Sequence, residues 1–385
     1  MGLIQHVAVL TGKRGGYGAM KPLLRALDTD PEMRMSLIAT DQHVNPKFGN
    51  TRAEIERDFK LAAVVDMQQQ SAQPVDRARA LGVCLTGMAS ALDELSPDLL
   101  MLYGDRGEVL AAATAAVHLR IPIAHLQGGD VSGNIDDPMR HAISKLAHVH
   151  YPSTETSADR LLAMGEEPWR VQVVGDNHVD GIVSGDFTES SIVRERLGIQ
   201  ESEHPIVVLY HPETIRPRDQ RADMAHILRA VSARSTRSLV VYPCSDAGHD
   251  DVISAFETVR GSPEFTFHQN IDAENFWGLL NIASVIIGNS SCGLIESPYF
   301  GLPAVNVGKR QEGRASSQNV IHCEAEPAAL SAALETALED SSFRIQATRP
   351  AKPFGNGLAW QRIHQHLKSI RIDSRLFNKR LKLNA

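Results

Sequence analysis

The chain has 385 residues, of which 43% are hydrophobic, enough for two domains of ordinary size each with its own core. A net charge of -7 and a pI near 6.1, with scattered basic residues, exclude an electrostatic nucleic-acid binder. No apolar run approaches the roughly 20 residues that span a bilayer. The four cysteines, Cys84, Cys244, Cys292 and Cys323, have neither zinc-ligand spacing nor a secretory signal before them, so the expectation is a cytoplasmic protein without metal or disulfides.

The first predicted element is a β-rich apolar run, Ile4 to Leu10, followed by TGKRGGYGAMKPLLRAL, a Gly-rich turn entering an amphipathic helix. Such a strand, loop and helix can cradle an anion on backbone N–H groups, with Arg14 as a fixed charge, although the spacing is that of neither common dinucleotide nor P-loop motif. A second strand, Met35 to Thr40, delivers Asp41, Gln42 and His43, and a third is expected at residues 62 to 66. A long helix covers 73 to 95. Pro97 to Tyr103 is continuously apolar, as suits a central parallel strand buried on both faces, and leads into GDRGEVLAAATAAVHL. Asp105 and Arg106 fall at its end and Glu108 one turn into the next helix; they either cap that helix or enter a site.

Residues 121 to 151, IPIAHLQGGDVSGNIDDPMRHAISKLAHVHY, hold the densest polar chemistry. A strand from Ile121 to Leu126 breaks into a Gly-Gly turn carrying Asp130, Asp136 and Asp137, before a helix begins near Pro138. Ligands of open α/β sheets bind beyond the C-terminal strand ends. Clustered carboxylates there push one another's pKa values apart, as acid and base roles require. Capping of the helix by one of Asp136 and Asp137 is the alternative, and it leaves Asp130, His125, Arg140, His141 and Lys145 unexplained.

A strand at His148 to Pro152, a helix from about Thr156 to Met164 and a strand at Val171 to Val174 close this half, and GDNHVDGIVSGDFTES reads as a domain boundary. The pattern then restarts with Pro205 to Tyr210 ending in HPET, Leu239 to Tyr242 ending in PCSDAGHD, and Val285 to Ile287 ending in GNSSCGLIE. There Ser290, Ser291, Cys292 and Gly293 open a helix bearing Glu296, an arrangement suited to a diphosphate with vicinal hydroxyls on the acid, or else an ordinary Ser cap. After a strand at Ala304 to Val307, Lys309, Arg310 and Arg314 either neutralise phosphate or form a solvated loop. Arg375, Lys379, Arg380 and Lys382 read as a solvated basic terminus. The fold class is therefore α/β, with two Rossmann-like doubly wound domains facing across a cleft.

Taken in order, TGKRGGYG, DQHVNPKFGNT, YGDRGEVLAAA, IPIAHLQGGDVSGNIDD with RHAISKLAH, HPET, SDAGHD, GNSSCGLIE and GKRQEGR resemble the hydrolysing UDP-N-acetylglucosamine 2-epimerases, from about residue 6 to residue 320. The resemblance implies a GT-B-like arrangement, with residues 1–178 as the catalytic domain and 179–355 as the UDP-binding domain. It also implies that a helix within 356–385 returns to the first domain, and that the protein is a homodimer through that domain and needs no cofactor. It implies removal of UDP from UDP-N-acetylglucosamine by anti elimination to an acetamidoglycal, then hydration to N-acetylmannosamine for sialic-type acid synthesis. Relatives act on UDP-diacetylbacillosamine on the way to legionaminic acid. By the same resemblance Asp105, Asp130 and Asp136 match catalytic carboxylates and His211 a catalytic histidine. Arg14, Ser290, Ser291, Gly293, Glu296 and Arg310 match UDP-binding positions and His43 a substrate-side position, and Arg106, beside Asp105, is expected to bind substrate as well. Asp130 stands where the family usually has Glu, and Gly15 and Gly16 replace its usual residues after Arg14. Non-hydrolysing epimerisation, glycosyl transfer and a dead nucleotide-sugar sensor are the alternatives. Three acids on two loops and an intact His211 speak against the last two.

Overall fold

A computed structural model describes residues 2–46, 51–71, 73–132, 136–213, 219–243 and 248–382. Its contacts divide the chain into one unit of residues 1–130, 136–181 and 354–385 and another of residues 131–135 and 182–353.

The first unit is built on six parallel strands: β1 His6–Thr11, β2 Arg34–Thr40, β3 Leu61–Val65, β4 Leu99–Tyr103, β5 Ile123–Leu126 and β6 Val149–Tyr151, in the order β3-β2-β1-β4-β5-β6. Apolar side chains on both strand faces explain two helical layers. Val7, Val9, Leu99 and Met101 enter one core, whereas Ala8, Leu10, Leu100 and Leu102 enter the other. Each fully buried aliphatic side chain contributes about 1.5–3 kcal/mol. The order reverses between β1 and β4, so their C-terminal ends open the crevice where such sheets bind ligands.

The second unit repeats the plan with β7 Ile206–Leu209, β8 Ser238–Val241, β9 Phe265–His268, β10 Val285–Gly288, β11 Ala304–Val307 and β12 Val320–Cys323, ordered β12-β11-β10-β7-β8-β9. Ile206 and Val208 face one core, Val207 and Leu209 the other. Both units are thus doubly wound, as the alternation of strands and helices predicts. Two strands of this sheet, β9 and β12, escaped that reading; both are four-residue strands at its edges, FTFH and VIHC, each with polar residues and largely half-buried side chains. Conversely, Val171 to Val174 is no strand and makes a single bridge, Val171 to His150.

In the segment read as a domain boundary, Asp176, Asn177 and Asp180 are buried, a helix runs Asn177–Ser184, and the division between the two units falls within that helix, after residue 181. The expectation of a solvated basic terminus is corrected in part. The C-terminal backbone is docked on the first unit, although most of its basic side chains are exposed. The helix Ala359–Ser369 sets Ala359, Ile363 and Leu367 into the first unit's core, at the spacing of one helical face. Beyond it, buried Arg170 donates to the carbonyls of Arg375, Leu376 and Asn378, and Lys379 pairs with fully buried Glu166 at 2.8 Å. A basic run usually keeps its charge in water. Lys379 departs from this, held by Glu166 and by the carbonyls of Ser144, Lys145 and Ala147, whereas the side chains of Arg375, Arg380 and Lys382 are exposed.

Candidate active site

In the first unit the chemistry collects where β4 and β5 end. Gly104, at φ 82°, turns the chain out of β4, and Asp105 and Arg106 follow, both buried. Arg140, on the helix Asp136–Leu146, donates Nη2 to Asp105 Oδ2 and Nη1 to the carbonyl of Gln127 at 2.8 Å. Burial works against the Arg140 charge, but Asp105, Asp130, Asp137 and Asp136 more than offset it and raise its pKa further. Arg106 Nη1 lies 3.8 Å from Asp136 Oδ2. Asp136 is therefore both the first residue of its helix and an ion-pair partner in the site.

Asp130 takes a different support. Ser157 Oγ donates to its Oδ1 at 2.5 Å, and Ser157 is itself fixed by Thr154, whose side chain caps the helix Glu155–Ala163. Gly129 makes that approach possible: at φ 78° a Cβ there would lie 2.1 Å from the Ser157 carbonyl oxygen. Three carboxylates thus stand at the strand ends with two guanidiniums and a hydroxyl between them. Together they can take up a proton, return one, and stabilise the charges that form between those steps.

Other predicted residues of this unit have quieter settings. His43 is wholly buried, with Nε2 2.9 Å from Thr11 Oγ1 and Nδ1 2.6 Å from Thr51 Oγ1, and burial lowers its pKa to about 4. Both ring nitrogens are engaged by the protein. His125 is likewise buried, neutral and tied to Ser144 and the Gly104 carbonyl. Arg14 opens the helix Arg14–Thr29 and pairs with Glu54 at 3.0 Å. Lys145 reaches Glu166 at 2.7 Å, away from the carboxylates. Glu108 is more involved than its sequence position implied: burial and then the charge of Asp41 push its carboxyl up to about 7.

The second unit places His211 directly after β7. Asn289, after β10, accepts from the His211 N–H at 2.7 Å and donates to its carbonyl at 2.8 Å, which fixes the backbone that carries the imidazole. The Asn289 carbonyl in turn receives Arg310 Nη1 at 3.1 Å and Gln311 Nε2 at 2.8 Å. Arg310 Nε and Gln311 Oε1 are buried without a hydrogen-bond partner among the described residues, leaving a donor and an acceptor for a ligand. Ser290 and Ser291 precede a helix of one turn, Cys292–Ile295, and Ser291 makes no side-chain cap bond. Glu296 therefore ends that helix instead of sitting on its first turns, because Pro298 cannot continue it and restricts Ser297. It remains buried. Gly293, also buried, lies within that turn. Glu213 of HPET accepts from the Lys309 N–H at 3.3 Å, and Arg314 Nε donates to the Val131 carbonyl at 3.0 Å. Residues 47–50, 133–135, 214 and 245–247 of the quoted motifs, and Cys244, lie outside the described residues.

Sequence reasoning passed over Gln127, Asp176, Asn289 and Gln311. The three amides have no charge to draw notice, and Asp176 lies in a segment read only as a boundary; their partners, backbone groups for Asn289 and Gln311 and each other for Gln127 and Asp176, are brought within reach only by the folded chain.

The sequence profile of the family described as UDP-N-acetylglucosamine 2-epimerase matches residues 25–368. Over 378 residues the chain is 32% identical to the UDP-N,N'-diacetylbacillosamine 2-epimerase (hydrolyzing) of Legionella pneumophila subsp. pneumophila, covering 98% of this chain and 99% of that one. It is 30% identical over 346 residues to the UDP-N-acetylglucosamine 2-epimerase of Neisseria meningitidis serogroup B, covering 90% of each. Among solved structures, the UDP-GlcNAc 2-epimerase from Neisseria meningitidis bound to UDP-GlcNAc has the same fold, with a TM-score of 0.82 at 17% identity over 95% of this chain and 100% of that one.

Proposed function

The chain belongs to the UDP-N-acetylglucosamine 2-epimerase family, and on that premise we propose that it is a hydrolysing UDP-sugar 2-epimerase that releases UDP and an N-acetylmannosamine-type sugar. The observation that carries this reading is the set of buried carboxylates, Asp105, Asp130 and Asp136, interleaved with Arg140 and Arg106 at the ends of β4 and β5.

In this reading Asp105 is the base, with Arg140 supplying the counter-charge for its ionised form. It takes the proton from carbon 2; those electrons form the carbon 1–carbon 2 double bond as the bond from carbon 1 to UDP breaks, and the pair leaves on the diphosphate oxygen. Ser290, Ser291, Gly293 and Arg310 hold the UDP, Glu296 accepts from its ribose hydroxyls, and His211 assists its departure. Water then adds to carbon 1 of the acetamidoglycal while carbon 2 receives a proton on the opposite face, with Asp130 and Asp136 sharing the proton transfers. Arg106 keeps Asp136 in place, and Arg14 and His43 shape the loops after β1 and β2. Asp130 is shorter than the usual Glu by one methylene, and its bond to Ser157 sets how far it reaches.

UDP-N-acetylglucosamine is the first substrate to test. UDP-diacetylbacillosamine is the second, favoured by the name and full-length coverage of the Legionella relative. Incubation with each sugar in deuterated water, followed by proton NMR, separates the outcomes. The proposal expects free UDP and a 2-epimerised sugar carrying deuterium at carbon 2. An intact UDP-N-acetylmannosamine would move the enzyme to the non-hydrolysing type, and UDP binding without turnover of either sugar would refute the catalytic assignment.

A further inference from the structure

Beside the three carboxylates lies a second buried network that the reaction above leaves unused. Its centre is Asp176, 1% exposed. One carboxylate oxygen, Oδ1, accepts from the His178 backbone N–H at 2.9 Å and lies 2.8 Å from His178 Nδ1, which is also 3.1 Å from the Tyr103 hydroxyl at the end of β4. The other, Oδ2, accepts from Ser153 Oγ at 3.0 Å, just past β6, and from Gln127 Nε2 at 2.9 Å, just past β5. One side chain therefore ties the ends of three strands. Burial alone would push the Asp176 carboxyl up, but the charge and hydrogen bonds of His178, with the amide of Gln127, bring it down to about 2. It is a permanent anion in the neutral range.

Gln127 transmits that anchor. Its backbone is left-handed, at φ 62°, a conformation a non-glycine residue holds only when its surroundings impose it. Its N–H is held by the Tyr151 carbonyl at 3.1 Å and its side chain by Asp176. The resulting orientation presents the Gln127 carbonyl to Arg140 Nη1, while Arg140 Nη2 donates to Asp105. A planar guanidinium has its donors in a fixed fork, so fixing one edge aims the other.

We infer that Asp176 and Gln127 are positioning residues for the reaction, holding the Arg140 fork at the angle that orients the Asp105 carboxylate toward carbon 2. The assignment of Asp105 as the base rests on the function proposed above; the mechanical link does not. Misplacement of a reacting group by about 1 Å costs on the order of a hundredfold in rate. A partial loss of aim through one intervening residue is expected to cost about tenfold.

The test uses the full-length protein and two routes. Gln127→Asn keeps a residue that tolerates the left-handed backbone, but its amide is one methylene too short to reach Asp176. Asp176→Asn is paired with the double variant Asp176→Asn with Gln127→Glu, which exchanges amide and carboxylate and restores a donor–acceptor pair. The readouts are kcat and KM for UDP release, and the guanidinium signals of Arg140 in a 15N-arginine spectrum, identified by their loss in Arg140→Lys. The inference expects slowly rotating, resolved Arg140 signals in the wild type that coalesce in Gln127→Asn. It also expects a fall in kcat of about tenfold with KM within about twofold, and partial recovery of both readouts in the exchanged pair relative to Asp176→Asn. Unchanged Arg140 signals in Gln127→Asn overturn it, whatever happens to the rate, and so does an unchanged kcat. Should the wild type turn over neither sugar, the proposed reaction fails, while the Arg140 signals still decide the positioning.

Discussion

Glu166 offers a quantitative test of how the C-terminal segment is held. Its carboxylate is fully buried and faces three bases: Lys145 at 2.7 Å, His150 at 3.0 Å and Lys379 at 2.8 Å. Burial opposes its charge, yet the hydrogen bond and charge of His150, followed by the lysines, bring its pKa from 4.5 to about 2. At 1.36 kcal/mol per pKa unit that shift is worth at most about 3 kcal/mol at pH 7, where burial keeps His150 neutral and the two lysines supply the charge. The sign follows from the depressed value: the contribution is complete above about pH 4.5 and is lost as pH falls through about 2. Lys379 is drawn down to about 8 by burial while the Glu166 ion pair works to raise it; it still carries its charge at pH 7. Glu166→Gln therefore leaves a buried cation without its counter-charge, the costly half of a broken pair. We predict a loss of about 2–3 kcal/mol at pH 7, shrinking by more than half at pH 3. Urea unfolding followed by tryptophan fluorescence is the assay, because Trp169 sits between the guanidiniums of Arg170 and Arg375, 4.2 and 4.3 Å from its ring centre, and reports directly on the docked segment. A Trp277→Phe background removes the second unit's indole. A loss below about 0.5 kcal/mol at pH 7, or one that is the same at pH 3, would refute the reasoning.

Asp105→Asn is expected to lower kcat by roughly a hundredfold to ten-thousandfold, the usual worth of a positioned acid or base, with UDP affinity by calorimetry changed less than about twofold. Gly129→Ala must move the Ser157 carbonyl, 2.1 Å from the added methyl carbon, against a φ of 78°; we expect a loss of more than about 2 kcal/mol in unfolding free energy and of most activity, whereas Gly15→Ala, with open space around it, should be nearly silent in both. His43 is neutral in the folded protein, its pKa lowered to about 4 by burial, so its contribution is present above about pH 6.5 and is lost as pH falls toward 4. His43→Gln should flatten that part of the stability profile, measured by unfolding midpoints between pH 4 and pH 7.

Much of the candidate site's layout could be read along the chain. Asp105 lies just beyond a strand whose unbroken apolar run marks it as central and parallel, Asp130 and Asp136 follow the next strand, and in a doubly wound sheet those ends lie side by side. Their partners could not be read. That Arg140 serves Asp105, that Ser157 serves Asp130, and that Arg106 serves Asp136 depend on side-chain directions that no period in the sequence encodes.

The order of most strands and helices, and with it two doubly wound sheets, is legible along the chain, because burying both faces of a parallel strand leaves a local apolar signature. Where that signature is weak, in the short edge strands β9 and β12, the sequence is silent. Only the folded chain brings about the docking of the backbone around residues 375–379 on Arg170 and Glu166, and the chain of contacts from Asp176 through Gln127 to Arg140. Each joins groups far apart in sequence by charge or hydrogen bonding in a dry interior, where a partner is worth most and where only the completed fold chooses which partner it is.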